Sequence, residues 1–88
     1  MKILAQGDSM LPTLQSGIYY EIEPVVSGDI EVNDIIVFCV DEIVICHRVI
    51  KIIESKNGTR FFVTKGDNCH NKDAYAVTKE MIIGRICK

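Results

Sequence analysis

The sequence predicts an all-β domain, a small coiled sheet or barrel, and three observations carry that expectation. Ile and Val dominate the apolar residues, and β-branched side chains suit the pleated, half-buried surface of a strand. No window repeats apolar residues at the three-to-four spacing of an amphipathic helix. Apolar runs of strand length are separated by frequent turn signals, the pattern of a small sandwich or barrel. At 88 residues the chain is expected to form one domain, 1–88, with no room for a second.

The elements follow in chain order. A short helical turn is expected to begin near Ser9 or Pro12, since proline is tolerated in a first turn. Strands are expected over 17–23, 34–40, 43–53, 60–64 and 81–87. Asp41-Glu42 breaks two apolar runs and predicts a tight hairpin, although it lacks the favoured Gly. Asn57-Gly58 is a stronger turn signal, because both residues accept positive φ. Residues 66–74 are polar and read as a surface loop, a common place for functional groups on a rigid β scaffold. In the long strand, Ile43, Ile45, His47, Val49 and Lys51 are expected to share one face. Val44, Cys46, Arg48, Ile50 and Ile52 share the other. Both faces are largely apolar, which predicts a central strand covered on both sides. Tyr19, Tyr20, Phe61 and Phe62 are expected in core and cross-strand packing.

Composition narrows the function. Hydrophobic residues make up 48% and charged residues 25%, with a net charge of −2, an ordinary globular balance. No basic stripe points to nucleic acid. The first residues are too short for the apolar core of a secretory signal, and the apolar stretches 35–40 and 43–46 are too short to cross a bilayer. A cytoplasmic chain, at most peripheral to a membrane or the partner of a membrane protein, is therefore expected. Cys39, Cys46, Cys69 and Cys87 are read chiefly as buried free thiols acting as small hydrophobes. Disulfides or a metal are the alternatives, and no pair has the two-residue gap of a zinc knuckle. No cofactor is expected.

Ser9 lies in Gly7-Asp8-Ser9-Met10-Leu11-Pro12-Thr13-Leu14, a constrained turn that can project a hydroxyl and leave backbone N–H groups unpaired, as an oxyanion hole requires. Turn Ser and structural His are the bland readings of Ser9 and His47 taken singly. This segment resembles the nucleophile box of the signal peptidase I and LexA-like serine peptidase clan. Asn33-Asp34-Ile35-Ile36-Val37-Phe38 is similar to the strand that follows that box. Ile45-Cys46-His47-Arg48-Val49-Ile50-Lys51 resembles the His-Arg-Val box of the endoplasmic-reticulum and archaeal type. Phe62-Val63-Thr64-Lys65-Gly66-Asp67-Asn68 with Asp73 resembles its acidic box, and Ile82-Ile83-Gly84-Arg85-Ile86 its closing strand. Five boxes occur in family order over nearly the whole chain.

The resemblance implies the coiled β fold of that clan and a peptidase site with Ser9 as nucleophile and His47 as general base. Asp73 would support the base, and Asp67 is a second acidic position. The chemistry is coherent: a hydroxyl needs a neighbouring base, and a carboxylate on the far ring nitrogen fixes the tautomer. Gly7, Asp8 and Met10 would flank substrate and oxyanion. Gly7 stands where signal peptidases commonly carry a Ser that helps hold the oxyanion, and Gly-Asp-Ser-Met is more like the LexA-like branch. The implied substrate is an extended peptide or preprotein. Lys51 and Lys65 are alternative bases, Lys65 being read first as a solvated charge. An imidazole base makes activity rise near neutral pH, whereas a lysine base delays it to about pH 9. Two rivals stand beside the enzyme: a catalytically impaired peptide- or partner-binding module on the same fold, and a LexA-like self-cleaving regulatory domain.

Overall fold

Two hairpins organise the chain. In the computed structural model, which describes residues 1–87, the strands are β1 Lys2–Leu4, β2 Tyr19–Glu23, β3 Ile35–Val40, β4 Ile43–Glu54, β5 Arg60–Lys65, β6 Ala76–Val77 and β7 Ile82–Ile86. All pairings are antiparallel, in the order β1-β2-β7-β3-β4-β5-β6. The all-β expectation holds, but β1 and β6 are free ends, so the sheet is open rather than a closed barrel. Single 3₁₀ turns at Ser27–Asp29 and Lys79–Met81 complete the regular elements.

The β3–β4 turn is built without glycine. Asp41 at φ 49° and Glu42 at φ 68° both adopt the left-handed region, as the type I′ form of a two-residue hairpin turn requires. Val40 and Ile43 pair directly across it. In the β4–β5 hairpin, Gly58 supplies the positive φ of 85°. Its N–H reaches the Ser55 carbonyl at 3.0 Å, and Asn57 Oδ1 accepts the Thr59 N–H at 3.1 Å.

A β-bulge then changes which residues of β4 face inward. Pairing runs Val49↔Thr64 and next Lys51↔Val63, leaving Ile50 as the extra residue. Parity reverses there. Lys51 is therefore exposed, against the expectation that it shares His47's face, and Ile52 packs on the core instead. The other face of β4 is also more open than expected, with Val44 51% and Ile50 40% exposed.

The core comprises Ile30, Ile36, Phe38, Val49, Phe62 and Val77, with Ile45, Ile52, Tyr75 and Ile82 packed around it. Full burial of each such aliphatic or Phe side chain contributes about 1.5–3 kcal/mol. Met10, Leu14, Ile22 and Val37 are also buried, outside that cluster, and line one hollow together with Ser9. Arg60 and Arg85 tie the connection between β2 and β3 to the sheet. Arg60 donates to the carbonyls of Ser27 and Ile30. Arg85 bridges the Asp29 carbonyl and the carboxylates of Glu23 and Asp34.

Other expectations need correction. The short elements β1 and β6 and both 3₁₀ turns carry no periodic signal long enough to read. The last strand begins at Ile82 because Met81 closes a 3₁₀ turn. Tyr19 is 64% exposed rather than packed. The four cysteines are free thiols, but Cys39, Cys46 and Cys69 are half-buried and Cys87, beyond the end of β7, is exposed. Among the described residues no His, Cys, Asp and Glu group could hold a metal ion.

Candidate active site

Ser9 sits in a turn in which Asp8 C=O accepts the Leu11 N–H at 3.2 Å and Met10 C=O accepts the Leu14 N–H at 2.9 Å. This is the helical turn expected near Ser9, limited to one irregular loop. It brings the Ser9 hydroxyl to 3.1 Å from Nε2 of His47. His47 stands on β4 between the core residues Ile45 and Val49 and is buried, with the Phe38 ring edge-on to it. Its Nδ1 lies 2.7 Å from Oδ2 of Asp73.

Asp73 is itself held. Its N–H donates to the Thr64 carbonyl at 2.8 Å, and the Thr64 hydroxyl donates to the same Oδ2 at 2.6 Å. A carboxylate only accepts, so Asp73 requires the proton on Nδ1 of His47. Nε2 is then a lone-pair acceptor facing the Ser9 hydroxyl. Tyr75, beside this group, has its phenol pKa raised by burial and then by the Asp73 charge.

The second acidic residue has a different partner. Asp67 receives Nε and Nη2 of Arg48, each at 2.8 Å, and the Thr13 hydroxyl at 2.5 Å. Paired N–H···O bonds from one guanidinium are among the stronger side-chain contacts. The Arg48 guanidinium, helped by Thr13, holds the Asp67 carboxyl below the usual carboxylate range against the opposing effect of burial. Asp67 does not reach His47. It joins the Ser9 turn, through Thr13, to β4, through the neighbour of His47.

Gly66 and Asn68 complete the junction, and sequence reasoning gave neither a role although both lie in the segment resembling the acidic box. A Cβ on Gly66 would stand 2.6 Å from the Ser9 carbonyl oxygen and 3.1 Å from Nε2 of His47, so only glycine fits there unchanged. Asn68 donates its backbone N–H to the Ser9 carbonyl at 2.8 Å and Nδ2 to the Asp8 carbonyl at 3.1 Å. Lys65, expected as a solvated charge, instead donates to the carbonyls of Gly66 and Cys69 at 2.9 and 2.6 Å. His70 is exposed.

Beside Ser9 lies a groove of about 680 Å³, bounded on one side by Lys2 to Gly7 and on the other by Glu42 to Cys46, with Met10, Leu14, Ile22 and Val37 at its base. Gly7 and Met10 line it, whereas exposed Asp8 does not. The N–H of Gly7 is engaged by Ser16 Oγ at 3.2 Å. Those of Ser9 and Met10 have no hydrogen-bond partner among the described residues. Cys46 lies in the groove wall, its pKa pushed up to about 11 by burial, so its thiol is protonated at neutral pH. Among the described residues no helix is long and apolar enough to cross a membrane.

No protein-family profile matches the chain, and no solved structure matches it significantly. Among curated proteins, the human "Putative signal peptidase complex catalytic subunit SEC11B" is 33% identical over 92 residues, covering 94% of this chain and 55% of that protein. The chain thus spans about half the length of that relative. This distant homology supports a place in the signal-peptidase-like family.

Proposed function

We propose that the chain is a serine endopeptidase of the signal-peptidase-like kind, with Ser9 as nucleophile, His47 as general base and Asp73 orienting the base. The observation that carries this reading is the unbroken series of Asp73 Oδ2, His47 Nδ1, His47 Nε2 and Ser9 Oγ, at 2.7 and 3.1 Å, opening onto an apolar groove.

The reaction follows from those positions. Ser9 Oγ attacks the substrate carbonyl carbon while its proton passes to His47 Nε2. The carbonyl oxygen takes the negative charge, next to the unpartnered Ser9 N–H. The imidazolium formed is stabilised by Asp73. It returns the proton to the leaving amine as the C–N bond breaks, giving an acyl ester on Ser9. Water, deprotonated by the same Nε2, cleaves the ester and restores the hydroxyl.

The groove favours an extended peptide or preprotein segment. Among the described residues β1 has β2 as its one neighbour, and β4 pairs with β5 only from Arg48 onward. Lys2–Leu4 and residues 43–46, which face the groove, therefore retain backbone groups that an added strand can pair with. Docking beside a membrane-protein partner belongs to the same proposal.

Mass spectrometry of a diverse peptide pool after incubation with wild type and Ser9→Ala tests the reading. Cuts made by wild type and absent with Ser9→Ala are expected. A folded wild type that makes none points to the impaired binding module, a rival favoured by the missing hydroxyl at Gly7.

A further inference from the structure

We infer that Asn68 is a positioning residue that aims the N–H groups of Ser9 and Met10 as a pair of oxyanion donors, an inference that rests on the peptidase reading above. Peptide geometry sets where a backbone donor points. Among the described residues only Leu11-Pro12 is joined by a cis peptide bond, so the C=O and N–H of the Asp8–Ser9 and Ser9–Met10 units point in opposite directions. Fixing the oxygen of a planar unit therefore fixes the direction of its N–H.

Asn68 holds both oxygens. Its side-chain amide binds the Asp8 carbonyl at 3.1 Å, and its backbone N–H binds the Ser9 carbonyl at 2.8 Å. The opposite ends of these two units are the N–H groups of Ser9 and Met10, which have no partner among the described residues. The turn makes them act together. Asp8 C=O accepts the Leu11 N–H at 3.2 Å, and neither Ser9 nor Met10 has a positive φ. That combination is a type I turn, whose central residues both have helix-like backbone, so their N–H groups leave on the same side.

Gly66 makes the grip possible, since a Cβ there would stand 2.6 Å from the Ser9 oxygen that Asn68 holds. The arrangement also accounts for Gly7. With no hydroxyl two residues before Ser9, the second donor is a backbone N–H, and a backbone donor is only as well aimed as its peptide plane.

Asn68→Ala removes the side-chain bond and keeps the backbone one, and Asn68→Asp does the same with the size preserved should the first fail to fold. Two readouts are taken: steady-state kinetics on a peptide found in the pool, and NMR order parameters of the Ser9 and Met10 amides. Removing an oxyanion donor outright costs about 10²–10³ in kcat. Loosening its aim is expected to lower kcat about tenfold with KM within about twofold. The Ser9 amide is expected to move from about 0.85 toward 0.6, while the Met10 amide, still aimed through the backbone N–H of residue 68, and the core amides stay rigid. Unchanged kcat with unchanged order parameters overturns the inference, and so does a fall in kcat with the Ser9 amide as rigid as before. A wild type that cuts nothing, with a Ser9 amide that still loosens in the variant, overturns the peptidase reading alone and leaves the clamp supported.

Discussion

Asp67 and Asp73 stand near opposite ends of one polar loop, are similarly shielded from water, and do different work because of what faces them. Asp67 meets a guanidinium and a hydroxyl, Arg48 and Thr13. The Arg48 charge cannot be given up at any ordinary pH, so the pair is a fixed strut between the Ser9 turn and β4. Asp73 meets an imidazole and a hydroxyl, His47 and Thr64. An imidazole gains and loses a proton near neutrality, so the same carboxylate chemistry there orients a group able to carry protons. Adjacent positions on β4, Arg48 and His47, thus assign the two acids their parts.

Substitutions can break this contrast. The largest effect is expected from Asp73→Asn. An amide can donate to Nδ1 and so favour the wrong tautomer, and kcat should fall about 10³–10⁴-fold with modest change in unfolding free energy. A loss below about tenfold would remove Asp73 from the proposed mechanism.

Asp67→Asn should act the other way round. It leaves Arg48 and Thr13 poorly satisfied and is expected to lower the unfolding free energy by about 2 kcal/mol, with a smaller loss in kcat than Asp73→Asn. Abolished turnover with unchanged urea unfolding would instead make Asp67 the functional acid.

The pH dependence sharpens the same point. The folded pKa of Asp67 is depressed, chiefly by its hydrogen bonds from Arg48. Its contribution is therefore fully present above the ordinary carboxylate range, about pH 4. It is lost as pH falls through the depressed value. The gap in urea midpoint between wild type and Asp67→Asn should be constant from about pH 5 to 7 and close below about pH 4. A gap that widens on acidification would contradict the strut. Smallest of all, Thr64→Val removes one of two donors to Asp73 and should cost about 1 kcal/mol in urea unfolding, with a kcat loss below that of Asp73→Asn.

Much of this was legible in the residues. The hairpins at Asp41-Glu42 and Asn57-Gly58 and the all-β class follow from local turn chemistry and strand propensity, which a short window contains. Ser9, His47 and Asp73 came from ordered boxes resembling one clan, and the structure brings these three together. Asp67 stands beside Asp73 as a second acidic position in the box resembling that clan's, and nothing local says which of them an imidazole will face.

By itself, then, the chain determined its strand-rich class and its two tight hairpins, because each depends on neighbours within a few residues, while the candidate chemistry of Ser9 and His47 rests on the resemblance of its ordered boxes to one clan. Tertiary structure decided the rest. The bulge at Ile50 that turns Lys51 outward is set by register against β5. β1 and β6 are strands only because β2 and β5 pair with them. Asp67 went to Arg48, and Asn68 to the carbonyls behind Ser9, because the fold folds residues 66–68 onto the Ser9 turn, more than fifty positions away. Such contacts are fixed by packing across the sheet, and no window of sequence contains both partners.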